Sequence, residues 1–184
     1  MAVLGLLSKL LLRKQITFEN GSINILGQPF LMMPSRVISL LFKATPENRK
    51  TMYYFCKASG AEFGTALQNN FNLKKDSLRK IGQDIFNIAG WGSLNFYKLD
   101  YETNTANVRL FKSTVANQFQ SKDPIDHTAR GFFAGFATIV FDTDVDCIET
   151  SCLATGKDHC EFIVAPSDYL NKNYKKISKV QIER

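Results

Sequence analysis

The sequence predicts an α+β fold in which helices pack on an antiparallel sheet. Segments with helical spacing of apolar residues alternate along the chain with pairs of short strands, and each pair is joined by a tight turn. Apolar residues make up 45% of the 184-residue chain, which is enough to close one core. We therefore expect a single domain over residues 1–184, in which residues 1–45 form an N-terminal extension with a short helix and a hairpin.

The first segment of the chain is apolar and superficially similar to a signal peptide. Lys9 interrupts the apolar run, and no small-residue cleavage site follows it. We expect a short amphipathic helix here. No run reaches the roughly 18 to 20 apolar residues of a membrane span, so we expect a cytoplasmic protein without a transmembrane segment.

A hairpin and two helices are predicted to follow. Residues 16–26 alternate around Asn20-Gly21, a pair typical of a two-residue hairpin turn. Pro34 opens the first helix, and Pro46 opens a longer one that reaches about Phe71.

Two glycines lie on the apolar stripe of the longer helix. Gly60 and Gly64 are four residues apart, and each costs roughly 1 kcal/mol relative to alanine. We expect close backbone approach at this stripe, either at a helix crossing within the chain or between two chains.

The middle of the chain predicts a helix and then a hairpin. A helix over residues 75–89 ends at Gly90-Trp91-Gly92, and strands over residues 93–100 and 105–112 follow it.

The last third predicts a buried helix and a final hairpin. Residues 125–141 form the most apolar helix, which should be buried around most of its circumference. Strands over residues 144–153 and 159–165 come next, and Pro166 starts a basic terminal helix.

The net charge of +6 is concentrated near the C-terminus. Residues 170–184 hold five basic residues against Glu183, so this tail contributes +4. A short basic run is most often a solvated helix end, and we expect no direct contact with nucleic acid.

Three residues near the C-terminus are suited to bind a metal ion. Cys152 and Cys160 flank the final turn, and zinc accepts thiolates together with carboxylates such as Glu149. Positions three apart on a strand face opposite sides, so Glu149 and Cys152 can share an ion only if the strand bulges near residues 150–151. We expect a structural zinc site. The alternatives for the cysteine pair are a disulfide and two buried thiols.

A fourth ligand has to come from elsewhere in the chain. Asp126 and His127, at the start of the apolar helix, are both competent ligands. Cys147 and His159 are further candidates, although Cys147 is expected to face the pocket. Four protein ligands would leave no open position for water, and no nucleophile is paired with a base, so we predict no catalytic residue.

A pocket is expected between the aromatic helix and the middle hairpin. Few polar groups converge there, so an aromatic or lipid-like ligand fits best, while the alternative is that these side chains are ordinary core. The expected pocket residues are Trp91, Phe96, Val108, Leu110, Phe132, Phe136, Ile139 and Cys147.

Two sequence stretches carry a resemblance to a known family. They are Asp126-His-Thr-Ala-Arg-Gly131-Phe-Phe-Ala-Gly135-Phe and Glu149-Thr-Ser-Cys152-Leu-Ala-Thr-Gly156-Lys-Asp-His-Cys160-Glu-Phe162. Together they resemble the 4-vinyl reductase domain family, densely over residues 124–165 and more loosely over residues 55–115. The resemblance implies an α+β fold similar to nitric-oxide sensors and to subunits of the Golgi transport particle. It also implies a homodimer and a buried pocket for hydrophobic molecules.

The resemblance also implies a zinc ligand set. In phenol- and toluene-sensing members, zinc is held by a cysteine before the glycine helix and by the glutamate and two cysteines of the signature. Here the last three correspond to Glu149, Cys152 and Cys160, whereas the first corresponds to Asp126. The zinc-binding segment is thus expected within residues 124–165.

The function expected from these features is a zinc-stabilised sensor or binding domain for a small hydrophobic molecule. The regulatory family members join this domain to an ATPase and a DNA-binding helix-turn-helix, and neither motif occurs in this sequence, so we expect a regulatory protein partner. Two alternatives stay open. One is an enzyme or accessory factor in tetrapyrrole vinyl reduction, although no flavin or nicotinamide motif supports it. The other is a dimeric tethering protein.

Overall fold

The structure is a computed structural model that describes residues 8, 10–44 and 46–182. The predicted opening helix falls largely on residues 1–7 and 9, which lie outside the described residues. Residues 10–12 are helical.

A small antiparallel sheet follows, with the strands β1 (Ile16–Glu19), β2 (Ser22–Ile25) and β3 (Gln28–Phe30) in that order. Its first turn is the predicted one: Asn20 and Gly21 have φ angles of 47° and 85°, and positive values at both positions match the right-handed twist of a hairpin. The third strand was not predicted, because its turn contains Leu26, a residue that rarely adopts a positive φ.

Six further α-helices lie within the described residues, and the predicted starts and ends agree with them to within about two residues. One exception is the terminal helix, which is divided in two at Tyr174, where φ is −132°. None of these helices is both long enough and apolar enough to cross a membrane. The helices are α1 (Ser35–Ala44), α2 (Pro46–Phe71), α3 (Lys75–Ile88), α4 (His127–Phe141), α5 (Ser167–Asn173) and α6 (Lys175–Gln181).

The main sheet has four antiparallel strands in the order β4-β5-β7-β6. The inward-facing residues of β5, which are Ala106, Val108 and Leu110, are all buried beside α4. The predicted α+β class with an antiparallel sheet is therefore confirmed. The strands are β4 (Ser93–Asp100), β5 (Thr105–Phe111), β6 (Asp146–Ser151) and β7 (Cys160–Ala165).

Helices α2 and α4 cross in direct backbone contact. A Cβ atom at Gly60 would clash with the backbone oxygen of Phe132, and a Cβ atom at Gly135 would clash with the backbone oxygen of Lys57. Glycine on both helices thus removes the side chains that would hold them apart. The close approach expected at Gly60 occurs within the chain.

A buried ion pair joins α2 to the start of β6. Lys57 Nζ lies 2.8 Å from Asp146 Oδ1, which also accepts a hydrogen bond from Tyr53 Oη at 2.8 Å, and Ser167 Oγ donates to Asp146 Oδ2 at 2.6 Å. Burial alone would raise the pKa of Asp146, but the donors from Lys57 and Ser167 hold that pKa below its usual range. The carboxylate is therefore charged in the folded protein.

Gly135→Ala is expected to lower the free energy of unfolding by about 1–3 kcal/mol, although alanine is the better helix former, because the added methyl forces the two backbones apart. Gly64→Ala is the matched control. There the new Cβ would lie 3.1 Å from the flexible Ile139 side chain, which can move. Urea denaturation of both variants checks the difference, and equal effects would contradict the crossing.

Asp146→Asn is expected to lower the free energy of unfolding at pH 7 by about 2–4 kcal/mol, because it leaves Lys57 buried without its partner. The folded pKa of Asp146 is depressed, so its contribution is complete above the unfolded pKa of about 4 and disappears as the pH falls through the folded pKa. The gap between variant and wild type should therefore close in acid.

The control for this pair is Asp144→Asn. Asp144 Oδ1 lies 3.0 Å from Lys57 Nζ, but its side chain is 66% exposed. This variant should lose less than about 1 kcal/mol. Chemical denaturation between pH 2.5 and pH 7 measures both variants, and a pH-independent gap for Asp146→Asn would contradict the proposed origin of the effect.

Candidate metal centre and apolar cavity

Strand β6 contains the bulge that the metal site requires. Glu149 pairs with Phe162, but the next pair is Ser151 with Glu161, so β6 has one extra residue at position 150. The extra residue reverses the alternation of side chains. Glu149 and Cys152 can therefore face the same side, and the predicted bulge is confirmed.

The bulge brings three candidate ligands together. One ligand atom from each of Glu149, Cys152 and Cys160 lies within 4.8 Å of the other two. The two sulfur atoms are 3.9 Å apart and form no disulfide. Both cysteines are fully buried and Glu149 is 2% exposed, so the three groups interact where little water screens them.

The charges of the cluster are interdependent. Burial raises the pKa of Glu149 well above its usual value, and the Cys152 thiolate and Asp126 raise it further. The hydrogen bond from Cys160 lowers the pKa of Cys152 to about 6, and the same bond raises the pKa of Cys160 because the donor keeps its proton. Without a cation, three acidic groups in one buried space cannot all ionise.

The donor set fits a divalent cation. Glu149 Oε2 accepts a hydrogen bond from the backbone N–H of Asp126 at 2.9 Å, but Oε1 is buried without a partner. A buried acceptor without a donor is costly, and two thiols with a carboxylate are typical zinc ligands. These residues would hold the ion that the family resemblance implies.

Asp126 does not join this cluster. It caps the N-terminus of α4: its Oδ1 accepts hydrogen bonds from Ala129 N at 3.2 Å and from Thr128 Oγ1 at 3.1 Å, while Oδ2 accepts one from Ser113 Oγ. Helix capping thus takes up the carboxylate that the sequence suggested as a ligand.

His127 also lies outside the cluster. Its Nδ1 is 3.2 Å from Arg130 Nη2, and burial, followed by the charges of Arg130 and Arg49, lowers the pKa of His127 to about 3. The ring is neutral and faces Arg130, one turn further along α4.

The two further candidates are placed elsewhere. Cys147 is fully buried in the core, and Tyr53 lies against its backbone N–H, which donates to Tyr53 Oη at 3.2 Å. His159 Nε2 lies 3.3 Å from Glu161 Oε1, and its ring packs against Phe111.

An apolar cavity of about 450 Å³ lies between α3, α4 and the main sheet and opens partly to solvent. Three of the predicted pocket residues line it, namely Phe96, Phe132 and Phe136. The full lining is Arg79, Gly82, Gln83, Phe86, Leu94, Phe96, Leu99, Ala106, Phe132, Phe133, Phe136, Ala137, Val140, Phe141 and Val164.

The other five predicted pocket residues do not line this cavity. Val108, Leu110 and Cys147 are buried in the surrounding core, because their strands pack tightly under α4. Ile139 lies against Gly64 on the α2 side of α4. Trp91 is one layer away, where its ring stacks on Phe86 at a centroid distance of 5.8 Å.

Sequence reasoning missed the contribution of α3 to the cavity. The ring of Phe136 lies so close to Gly82 that a Cβ atom there would clash with it. A glycine in the middle of an amphipathic helix is a signal that could have pointed to this contact. Arg79 and Gln83 flank Gly82 and supply the polar part of the wall.

A second, polar cleft reaches the cluster from outside. It measures about 1210 Å³ including open solvent, and it is lined by Arg49, Lys50, Asp123, Pro124, His127, Arg130, Glu149, Thr150, Lys176, Ile177, Val180 and Gln181. Four of these side chains are basic and two are acidic, so the cleft favours anions.

Gln181 fastens the last helix to the metal-site strand. Its Oε1 accepts hydrogen bonds from the backbone N–H of Glu149 at 2.9 Å and from Arg130 Nη1 at 3.0 Å, and its Nε2 donates to the Glu149 carbonyl at 3.0 Å. Arg130 is 1% exposed and stacks on the Tyr53 ring at 4.2 Å. The C-terminal helix, α4 and β6 therefore meet at one amide.

Comparisons with solved structures show the same fold in a sensory domain. The phenol-responsive sensory domain of the transcription activator PoxR, solved with phenol, is similar with a TM-score of 0.76 and 16% identity, covering 97% of this chain and 96% of that one. A vinyl-4-reductase family protein from Methanocaldococcus jannaschii gives a TM-score of 0.44 and 20% identity, covering 75% of this chain and 98% of that one.

A third similar structure is trafficking protein particle complex subunit 3 from Naegleria fowleri, covalently bound to palmitic acid. Its TM-score is 0.48 with 13% identity, and the match covers 71% of this chain and 93% of that one. The expected similarity to nitric-oxide sensors is not tested by these structures. No curated protein matches the sequence.

The family model of the 4-vinyl reductase domain matches residues 107–166, which include α4, the bulged strand β6, strand β7 and the three clustered residues. The predicted resemblance to this family is therefore confirmed: the chain carries a 4-vinyl reductase domain.

Proposed function

We propose that this protein is a sensor domain that binds a small hydrophobic molecule in the apolar cavity and acts through a protein partner. The observation that carries the proposal is the cavity itself, whose walls are almost entirely apolar and largely aromatic. The likeness of the fold to a phenol-responsive sensory domain supports it.

The polar groups of the cavity restrict its ligand. Arg79 Nη1 donates to Gln83 Oε1 at 3.2 Å, and Gln83 Nε2 donates to the carbonyl of Leu94 at 2.8 Å, so both side chains are already engaged. A ligand with many polar groups would leave them without partners, which is costly in an apolar site. The ligand class is therefore an aromatic or lipid-like compound with few polar atoms.

The aromatic rings determine how such a ligand can enter. Phe132 and Phe136 stack with an interplanar angle of 6° and a centroid distance of 6.1 Å, and Phe86 packs beside them. The rings occupy much of the space between α3 and α4. A flat ligand can replace contacts between rings with equivalent offset-stacked contacts, so its entry requires side-chain rotation rather than movement of helices.

Phenol and toluene are the probes for this cavity. We expect either compound to change the fluorescence of Trp91, which is the single tryptophan of the sequence and stacks on the cavity wall through Phe86. Ala137→Leu fills the cavity and should weaken binding at least about tenfold, the equivalent of roughly 1.4 kcal/mol.

Ala58→Leu, on the exposed face of α2, is the matched control and should bind like wild type. Calorimetric titration measures the affinities, and circular dichroism verifies that Ala137→Leu folds. Equal affinity in both variants would rule out this cavity as the site.

We also propose that zinc binds to Glu149, Cys152 and Cys160. Zinc would supply the positive charge that allows these buried groups to ionise together. Since β6 and β7 meet at the cluster, the ion would stabilise the final hairpin beside the cavity helix.

Cys160→Ser is expected to abolish zinc binding, and removal of zinc by a chelator should lower wild-type stability by about 3–4 kcal/mol when zinc is present at 100 to 1,000 times its dissociation constant. Cys147→Ser, at a buried cysteine outside the cluster, should retain zinc. Metal analysis and thermal melts check both. Purified wild type without zinc, and unchanged by the chelator, would refute the site.

Native mass spectrometry of the same sample tests the expected homodimer and any retained ligand. Exposed apolar side chains on residues 31–40 offer a surface for a second copy, namely Leu31, Met32, Met33, Val37 and Leu40. A retained acyl chain would instead favour the tethering alternative.

A further inference from the structure

We propose that only three protein groups hold the metal ion, and that a molecule from solution, water by default, occupies the fourth coordination position. The inference rests on the proposed zinc site. It departs from the four-ligand set that the family resemblance implies, in which residue 126 would be a ligand.

The carboxylate of Asp126 is already fully used. It accepts hydrogen bonds from three donors on Ser113, Thr128 and Ala129, and it is 1% exposed. Turning toward the cluster would break these bonds and remove the cap of α4. Cap removal alone typically costs about 1 kcal/mol.

The backbone of Asp126 has a separate role in the cluster. Its N–H donates to Glu149 Oε2 at 2.9 Å and so orients the carboxylate, leaving Oε1 as the buried acceptor without a donor. The unpartnered oxygen marks the side on which a ligand is missing. Asp126 thus supports a metal ligand without being one.

Charge also argues against a second carboxylate. A divalent ion with two thiolates and Glu149 has a formal charge of −1, and Asp126 as a fourth ligand would make it −2 in a buried site. Uncompensated buried charge is expensive. A neutral water molecule adds none, and the buried guanidinium of Arg130 lies close enough to interact favourably with Glu149.

The polar cleft provides a route for exchange of the fourth ligand. Glu149 and Thr150 line its inner end, while Arg49, Lys50 and Lys176 lie along its walls. Zinc sites with three protein ligands characteristically keep a position for water or another donor. The cleft would let small donors replace the water.

Cobalt(II) in place of zinc tests this arrangement, because its visible spectrum reports the ligand set. Asp126→Asn keeps a capping side chain but exchanges the carboxylate for a poor ligand, and His127→Gln removes the imidazole. Both variants should bind cobalt within about tenfold of wild type, with unchanged spectra, since loss of a supporting contact typically costs 10–100-fold at most. Imidazole should shift the wild-type spectrum.

Asp126→Cys is the converse variant. It restores the family's third cysteine, so its cobalt complex should show stronger thiolate charge-transfer absorption and no response to imidazole. A loss of cobalt affinity beyond about 100-fold in Asp126→Asn or His127→Gln would overturn the inference, because supporting contacts do not explain so large a loss. A wild-type spectrum that saturating imidazole leaves unchanged would also overturn it. Failure of wild type to bind cobalt or zinc at all refutes the metal site itself.

Discussion

The backbone contact between α2 and α4 determines where everything else in the domain can lie. Because Gly60 meets one side of α4 without a side chain between them, α4 is fixed against α2 along its length. Its phenylalanines must then point to the remaining sides, toward α3 and the sheet, where they wall the cavity. The same placement brings the N-terminus of α4 to strand β6, so that the N–H of Asp126 can reach Glu149.

Cavity and cluster are separate spaces that share a wall. Phe133 lines the cavity and packs edge-on against Phe162 with centroids 5.1 Å apart. Phe162 lies two residues after Cys160 in β7 and pairs across the sheet with Glu149. A ligand that displaces Phe133 therefore presses on the strand pair that carries the candidate metal ligands. Because the core is close-packed, such a displacement has few places to dissipate.

Local chemistry explains which parts of this structure the sequence could predict. Pro46 and Asn20-Gly21 restrict the backbone themselves, so the element boundaries near them follow from sequence, and the bulge in β6 follows from requiring Glu149 and Cys152 to share a side. The cavity wall was harder, because Ile139 and Phe136 are equally apolar and only the packing of α2 and α3 decides which of them faces the space. Likewise, capping and metal binding both suit Asp126, and the choice depends on donors distant in sequence, such as Ser113.

The hydrogen bonds of Gln181 have a mechanical consequence. One side-chain amide holds both the N–H and the C=O of Glu149, so the terminal helix α6 cannot shift without pulling on the strand at its bulge. Tyr54 Oη adds a second tie by donating to the carbonyl of Ile182 at 3.0 Å. A protein that grips α6 would therefore exert force directly on the residue whose carboxylate faces the cluster, and by reciprocity the state of the cluster would alter how firmly that protein is held.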